Sequence, residues 1–245
     1  MKIWVGLCGF SMAMRNYPLH FPVVEVQKTF YEPPGDAALT KWRAATGPGL
    51  EYTMKVWQLV THAANSPTYR RMKRKLEPGD APGFFGDTAL VDEGWQRSVA
   101  CAQVLSATGM LFQCPASFRP EPDHIAQLRR FFERIERPAA RLLWEPRGKP
   151  WLAAHALALS LCQELGLVYV VDPFVTPPLK GEAVYWRLHG IGSAYRSYTD
   201  AELQHLQQML VDAQPPGMAY VMFNNVPSAV DAQRFLRLVA QSPLR

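Results

Sequence analysis

The sequence predicts an α/β protein built as an irregular TIM-type (β/α)8 barrel. Three observations carry that expectation. Eight short apolar runs recur along the 245 residues. They alternate with helical patterns, which implies βαβ units. Several of them end in a polar or ionisable residue, and a parallel barrel gathers its site from the carboxyl ends of its strands.

The expected strands are Ile3–Leu7, Val23–Val26, Glu51–Trp57, Gly109–Gln113, Arg141–Glu145, Val168–Asp172, Ala183–Leu188 and Ala219–Phe223. Several are apolar almost throughout, as strands buried on both faces are. Helical patterns fall at Asp36–Thr46, Asp92–Ala107, Asp123–Glu136, Trp151–Leu165, Thr199–Gln214 and Ser228–Ala240. Gly166 closes the fourth as a C′ residue. Thr199 and Glu202 open the fifth in capping-box spacing. Two units look incomplete. Met12–Tyr17 is the sole helical hint between the first two strands, and the Pro-rich 173–182 segment leaves no room for a helix. The outer helix ring should therefore be incomplete. No linker or repeat divides the chain, so residues 1–245 read as one domain. Residues 65–91 form a basic irregular loop, rich in Gly and Pro turn signals.

Composition bounds the function. The hydrophobic fraction is 48% and the charged fraction 19%, ordinary for a globular protein. No apolar run approaches the roughly 20 residues that span a bilayer, so no membrane partner is expected. The opening "MKIWVGLCGF" reads as a first strand rather than a signal peptide. Cys8, Cys101, Cys114 and Cys162 lack paired spacing; reduced thiols and a cytoplasmic location are the expectation. The formal charge of +5 is compatible with an anionic partner.

The motifs "VVEVQKTFYEPP", "YTMKVWQLVTH", "MLFQCPASF", "WEPRGKPW", "YWRLHG", the Tyr195 and Tyr198 pair, and "FNN" occur in an order that resembles the DUF72 (YecE-like) family. The resemblance covers nearly the whole chain. It implies a TIM-type barrel and specifies no activity. The chain departs from the family pattern at its opening, where "GLCGF" stands in place of G-T-S-G-W, and at Gln27-Lys28, where the family has Asn-Ser.

Candidate site residues follow from the strand ends. Glu145, Asp172 and His189 are the acid–base candidates. Lys55, Arg147 and Arg187 supply positive charge for phosphate or carboxylate. His62, Asn224 and Asn225 would orient the ligand, and Tyr195 and Tyr198 would form a stacking wall beside Arg196. His62, Glu145, Asp172 and His189 are the residue types of a divalent metal site, yet no motif spacing indicates one, so metal and cofactor stay open. The leading expectation is binding, with hydrolysis as the reaction class, of a phosphate-bearing ligand at the C-terminal mouth of the barrel. The alternative is a non-catalytic nucleic-acid-binding protein using the barrel rim and the basic loop, with Arg70, Arg71, Lys73, Arg74 and Lys75. A third is a small-molecule sensor or carrier without chemistry.

Overall fold

The computed structural model describes residues 2–177 and 179–241. Eight parallel strands run β1 (Lys2–Leu7), β2 (Val23–Val26), β3 (Glu51–Lys55), β4 (Gly109–Gln113), β5 (Arg141–Glu145), β6 (Val168–Val171), β7 (Val184–Leu188) and β8 (Met218–Phe223). Their order is that of a closed barrel in sequence order. The helices are α1 (Lys28–Tyr31), α2 (Asp36–Thr46), α3 (Ala89–Leu105), α4 (Pro122–Arg134), α5 (Lys149–Ala153), α6 (His155–Leu165), α7 (Asp200–Ala213) and α8 (Ser228–Ala240). The fold is the expected TIM barrel. The chain groups into two compact units, one of Met1–Glu25, Ala45–Glu51 and Val168–Arg245, the other of Val26–Ala44 and Tyr52–Leu167.

In the first unit, β1 pairs with β8 from Lys2↔Met218 to Leu7↔Phe223, and β7 pairs with β8 from Val184↔Ala219 onward. All five residues of β7 are buried, consistent with a parallel strand covered on both faces. Among the described residues, neither the β1–β2 nor the β6–β7 connection holds an α-helix. The first carries only a 3-10 turn, Tyr17–Leu19. Its buried Tyr17 hydroxyl accepts from the Leu7 amide at 3.0 Å and donates to the Val23 carbonyl at 2.9 Å. One phenol thus ties the two strands where a helix is missing. Gly6 lets them approach, because a Cβ there would stand 2.1 Å from the Val23 carbonyl oxygen. Thr199 and Glu202 cap α7 in both directions, as expected.

In the second unit, β3, β4 and β5 pair in register. The core gathers Trp95, Phe85, Phe112, Phe131 and Phe132, with ring centroids 5.0–6.0 Å apart. Helix α3 starts at Ala89, three residues before the expected Asp92, because the Thr88 hydroxyl accepts from the Val91 amide. The expected helix Trp151–Leu165 is two helices, divided at Ala154 (φ −107°, ψ 30°). Strand β3 stops at Lys55 rather than Trp57. The basic segment contains a 3-10 helix, Pro67–Arg71, whose Ser66 side chain accepts from the Thr68 amide. Met72 then anchors in a buried cluster with Trp57, Leu59 and Tyr69. Gly83 seats the following loop, since a Cβ would meet the His62 carbonyl carbon at 2.2 Å and its φ is +91°.

Candidate functional site

Within the second unit, the carboxyl ends of β3, β4 and β5 carry a continuous polar row. The Lys55 ammonium donates to Gln113 Oε1 at 2.7 Å. Gln113 Nε2 donates to Glu145 Oε2 at 2.6 Å. Glu145 Oε1 accepts from Arg147 Nε at 3.1 Å and Nη2 at 2.9 Å. Lys55 also lies 3.7 Å above the centroid of the Phe30 ring, a cation–π contact that helps hold a buried ammonium. Its carbonyl is fixed by the Thr29 hydroxyl at 2.7 Å. Lys55 and Glu145 are buried, whereas the Arg147 side chain is 39% exposed. The accessible cation therefore sits at the end of a row whose other charges are covered.

His62 is buried beside this row. Its Nδ1 lies 2.8 Å from the Thr61 hydroxyl, and its ring meets Phe30 edge-on at 4.9 Å. Burial, then the charges of Lys55 and Arg147, lower its pKa to about 3. The imidazole is neutral at neutral pH. It can donate or accept one hydrogen bond there, but it is a weak base.

The first unit holds a different set. Arg187 and Glu25 are buried, with side-chain exposures of 1% and 0%. Arg187 Nε lies 3.2 and 3.1 Å from the two Glu25 oxygens, and Nη2 lies 2.9 Å from Oε1. The Tyr185 hydroxyl donates to Glu25 Oε2 at 2.8 Å. Arg187 Nη2 also reaches Cys8 Sγ at 3.7 Å. Asp172 Oδ2 accepts from the His189 amide at 2.9 Å and lies 3.5 Å from His189 Nδ1. Asp172 Oδ1 accepts from the Phe174 amide at 3.1 Å. The carboxylate thus shapes its loop and orients a partly exposed imidazole.

The stacking wall expected from Tyr195 and Tyr198 is not formed by that pair. Tyr198 is buried, its ring stacks on Phe174 at 5.5 Å, and its hydroxyl accepts from the Gly190 amide at 2.8 Å. Burial, followed by the Asp172 charge, pushes its phenol pKa up. Tyr195 is 83% exposed. Arg196 binds Glu202 through two contacts of 3.0 and 2.7 Å. Neighbours in sequence are separated here because one side chain fills the core and the others face water.

The two asparagines also part. Asn225 is buried and donates to Asp231 Oδ2 at 2.7 Å, and Asp231 in turn accepts from Arg234 at 3.0 Å. Asn224 pairs through its backbone amide with the Leu188 carbonyl at 2.8 Å. The basic run divides as well. Arg74 forms a fork with Glu93 at 2.8 and 3.1 Å, and the Arg71 guanidinium lies 3.6 Å over the Tyr31 ring. Arg70 and Lys75 are exposed.

Gln113 and Phe30 are the residues that a search for ionisable strand ends misses. Gln113 is the last residue of β4, a strand-end amide of the same kind as Asn224, and that position is the signal that could have found it. Phe30 lies in the short helix α1, which has no side-chain cap to announce it. Among the described residues, no three His, Cys, Asp or Glu side chains are gathered to hold a metal ion, and no helix is long and apolar enough to cross a membrane.

Comparison with known proteins agrees with the fold. A DUF72 protein from Enterococcus faecalis is 18% identical, with a TM-score of 0.75 over 98% of this chain and 96% of that one. A DUF72 protein from Thermotoga maritima is also 18% identical, with a TM-score of 0.71 over 98% and 100%. A D-allulose 3-epimerase from Methylomonas sp. is 11% identical, with a TM-score of 0.59 over 98% and 97%. No curated protein matches by sequence. The family model "Protein of unknown function DUF72" matches residues 9–244, and with that span the chain belongs to the DUF72 family.

Proposed function

We propose that this protein binds a small phosphate-bearing ligand at the carboxyl ends of β3, β4 and β5, with Arg147 as the accessible contact and Lys55 as a buried charge behind it. One observation carries the reading. Lys55, Gln113, Glu145 and Arg147 form a hydrogen-bonded row across three consecutive strand ends, the face on which barrel enzymes place their ligands. The His62 pKa is lowered first by burial and then by the charges of Lys55 and Arg147, so the imidazole adds no competing positive charge beside the row. A planar guanidinium fork suits a phosphate.

This row binds rather than hydrolyses. Glu145 is held by Gln113 and Arg147, and His62 is too weak a base. Acid–base chemistry has a better basis in the first unit, where Asp172 orients His189; a hydrolase reading rests on that dyad. Thermal unfolding in inorganic phosphate tests the binding. A ligand present at tenfold its Kd stabilises by about 1.4 kcal/mol, or roughly 3–5 °C for a domain of this size. Arg147→Ala should remove that shift. Retention of the full shift in the variant defeats the proposal. Phosphate-ester hydrolysis by the wild type that His189→Asn abolishes would establish the second reading.

A further inference from the structure

A second cationic site stands apart from that row. Helix α1, the Pro33–Gly35 turn and the basic 3-10 segment enclose a cleft of about 410 Å³ lined by Lys28, Tyr31, Glu32, Arg71 and Lys73. Clefts of about this volume hold small ligands. Three cations face one carboxylate there. That carboxylate is already engaged, because Glu32 accepts from the Lys73 backbone amide. Lys28, Arg71 and Lys73 form no ion pair among the described residues, whereas Arg74 of the same run is forked to Glu93 and nearby Arg97 is paired with Asp36 at 2.7 Å. The segment is not a solvated tail: Ser66 caps it, and the buried Met72 lies between Arg71 and Lys73. The Arg71 guanidinium carbon lies 3.6 Å from the centroid of the Tyr31 ring, a cation–π contact that holds it over the ring face.

We propose that this cleft binds a nucleotide unit, with its base stacked on the Arg71–Tyr31 pair and its phosphate between Lys28 and Lys73. Guanidinium planes and aromatic rings stack any base, and lysines track the backbone charge. The nucleotide is either free or part of a single strand. Adenosine monophosphate, followed by calorimetry, and a fluorescein-labelled oligothymidylate, followed by anisotropy, distinguish the two sources. If the strand binds no tighter than the mononucleotide, the ligand is the free nucleotide. If it binds at least tenfold tighter and the mononucleotide competes, the ligand is the strand. Both outcomes uphold the site.

Lys28→Gln/Lys73→Gln should weaken either probe about tenfold or more. For the strand it should also flatten the log–log salt slope by about 0.7, the contribution of one neutralised phosphate on a single strand. The charge-matched control Lys41→Gln/Arg130→Gln, at exposed positions elsewhere, should stay within about twofold. Arg71→Lys keeps the charge and loses the plane, so it should weaken adenosine monophosphate about tenfold or more. No saturable binding of either probe overturns the proposal. Equal loss in the charge-matched control does the same, as does an Arg71→Lys variant that binds the nucleotide normally. The Arg147 variant should leave this binding intact, so failure here and failure of the barrel-end site are separable.

Discussion

Glu25 with Arg187 in one unit, and Glu145 with Arg147 in the other, are both carboxylate–guanidinium pairs on barrel strands and their ends. In sequence they look equivalent. In the first, both side chains are essentially inaccessible, and Tyr185 adds a third partner. In the second, the carboxylate is covered while the guanidinium is 39% exposed and continues through Gln113 to Lys55. Burial decides what each pair can do. A buried charge that loses its partner is stranded without water, so the first pair is a structural element. A pair with an exposed cation can exchange water for a ligand with little change in the fold.

The largest expected effect breaks the comparison at its buried side. Arg187→Ala should cost about 3–5 kcal/mol, because it leaves Glu25 buried and uncompensated. Urea unfolding measures it, and a loss under about 1 kcal/mol would contradict the structural role. Arg187→Ala/Glu25→Ala together should cost less than the sum of the two single variants.

The next effect is a pH dependence belonging to the other unit. His62 has a folded pKa of about 3 against an ordinary 6.5. The folded state therefore excludes a proton that the unfolded chain binds. The resulting stability is complete above about pH 6.5 and falls as pH drops through the window from 6.5 toward 3, by about 1.4 kcal/mol per unit. Stability measured from pH 6 to 4 should fall with nearly that slope in the wild type. In His62→Gln the slope should shrink by most of that amount. An unchanged slope would place the titration elsewhere.

A smaller loss, about 1–3 kcal/mol, is expected for Tyr17→Phe. The substitution keeps the ring and leaves the Leu7 amide and Val23 carbonyl without their shared partner. Hydrogen exchange at the Leu7 amide should accelerate.

The strand ends were legible because period and termination are local properties of a chain. β2, β4 and β5 were readable residue for residue, and α7 because its cap is written in two side chains. The partners were not legible. Nothing in "VVEV" announces that Glu25 will meet Arg187, more than 160 residues away. The Ala154 break was hidden by an unbroken run of helix formers. Helix α1 was hidden by its four-residue length. Tyr195 and Tyr198 share a motif, yet their difference in burial depends on where Phe174 packs.

The smallest stability effect sharpens the comparison most. Arg147→Ala removes an exposed guanidinium from a carboxylate that keeps its Gln113 hydrogen bond. The Arg147 side chain is 39% exposed and Glu145 keeps a neutral donor, so unfolding in buffer should shift by clearly less than for Arg187→Ala. The same variant should lose the stabilisation that phosphate gives the wild type. Arg147→Lys restores the charge without the fork and should recover only part of it, because the ammonium acts as a point charge. The quantity to compare is the phosphate-induced shift, measured on all three proteins at one ionic strength, so that screening is constant. If Arg147→Ala costs as much stability as Arg187→Ala, the two pairs are alike after all, and Arg147 holds the barrel rather than a ligand.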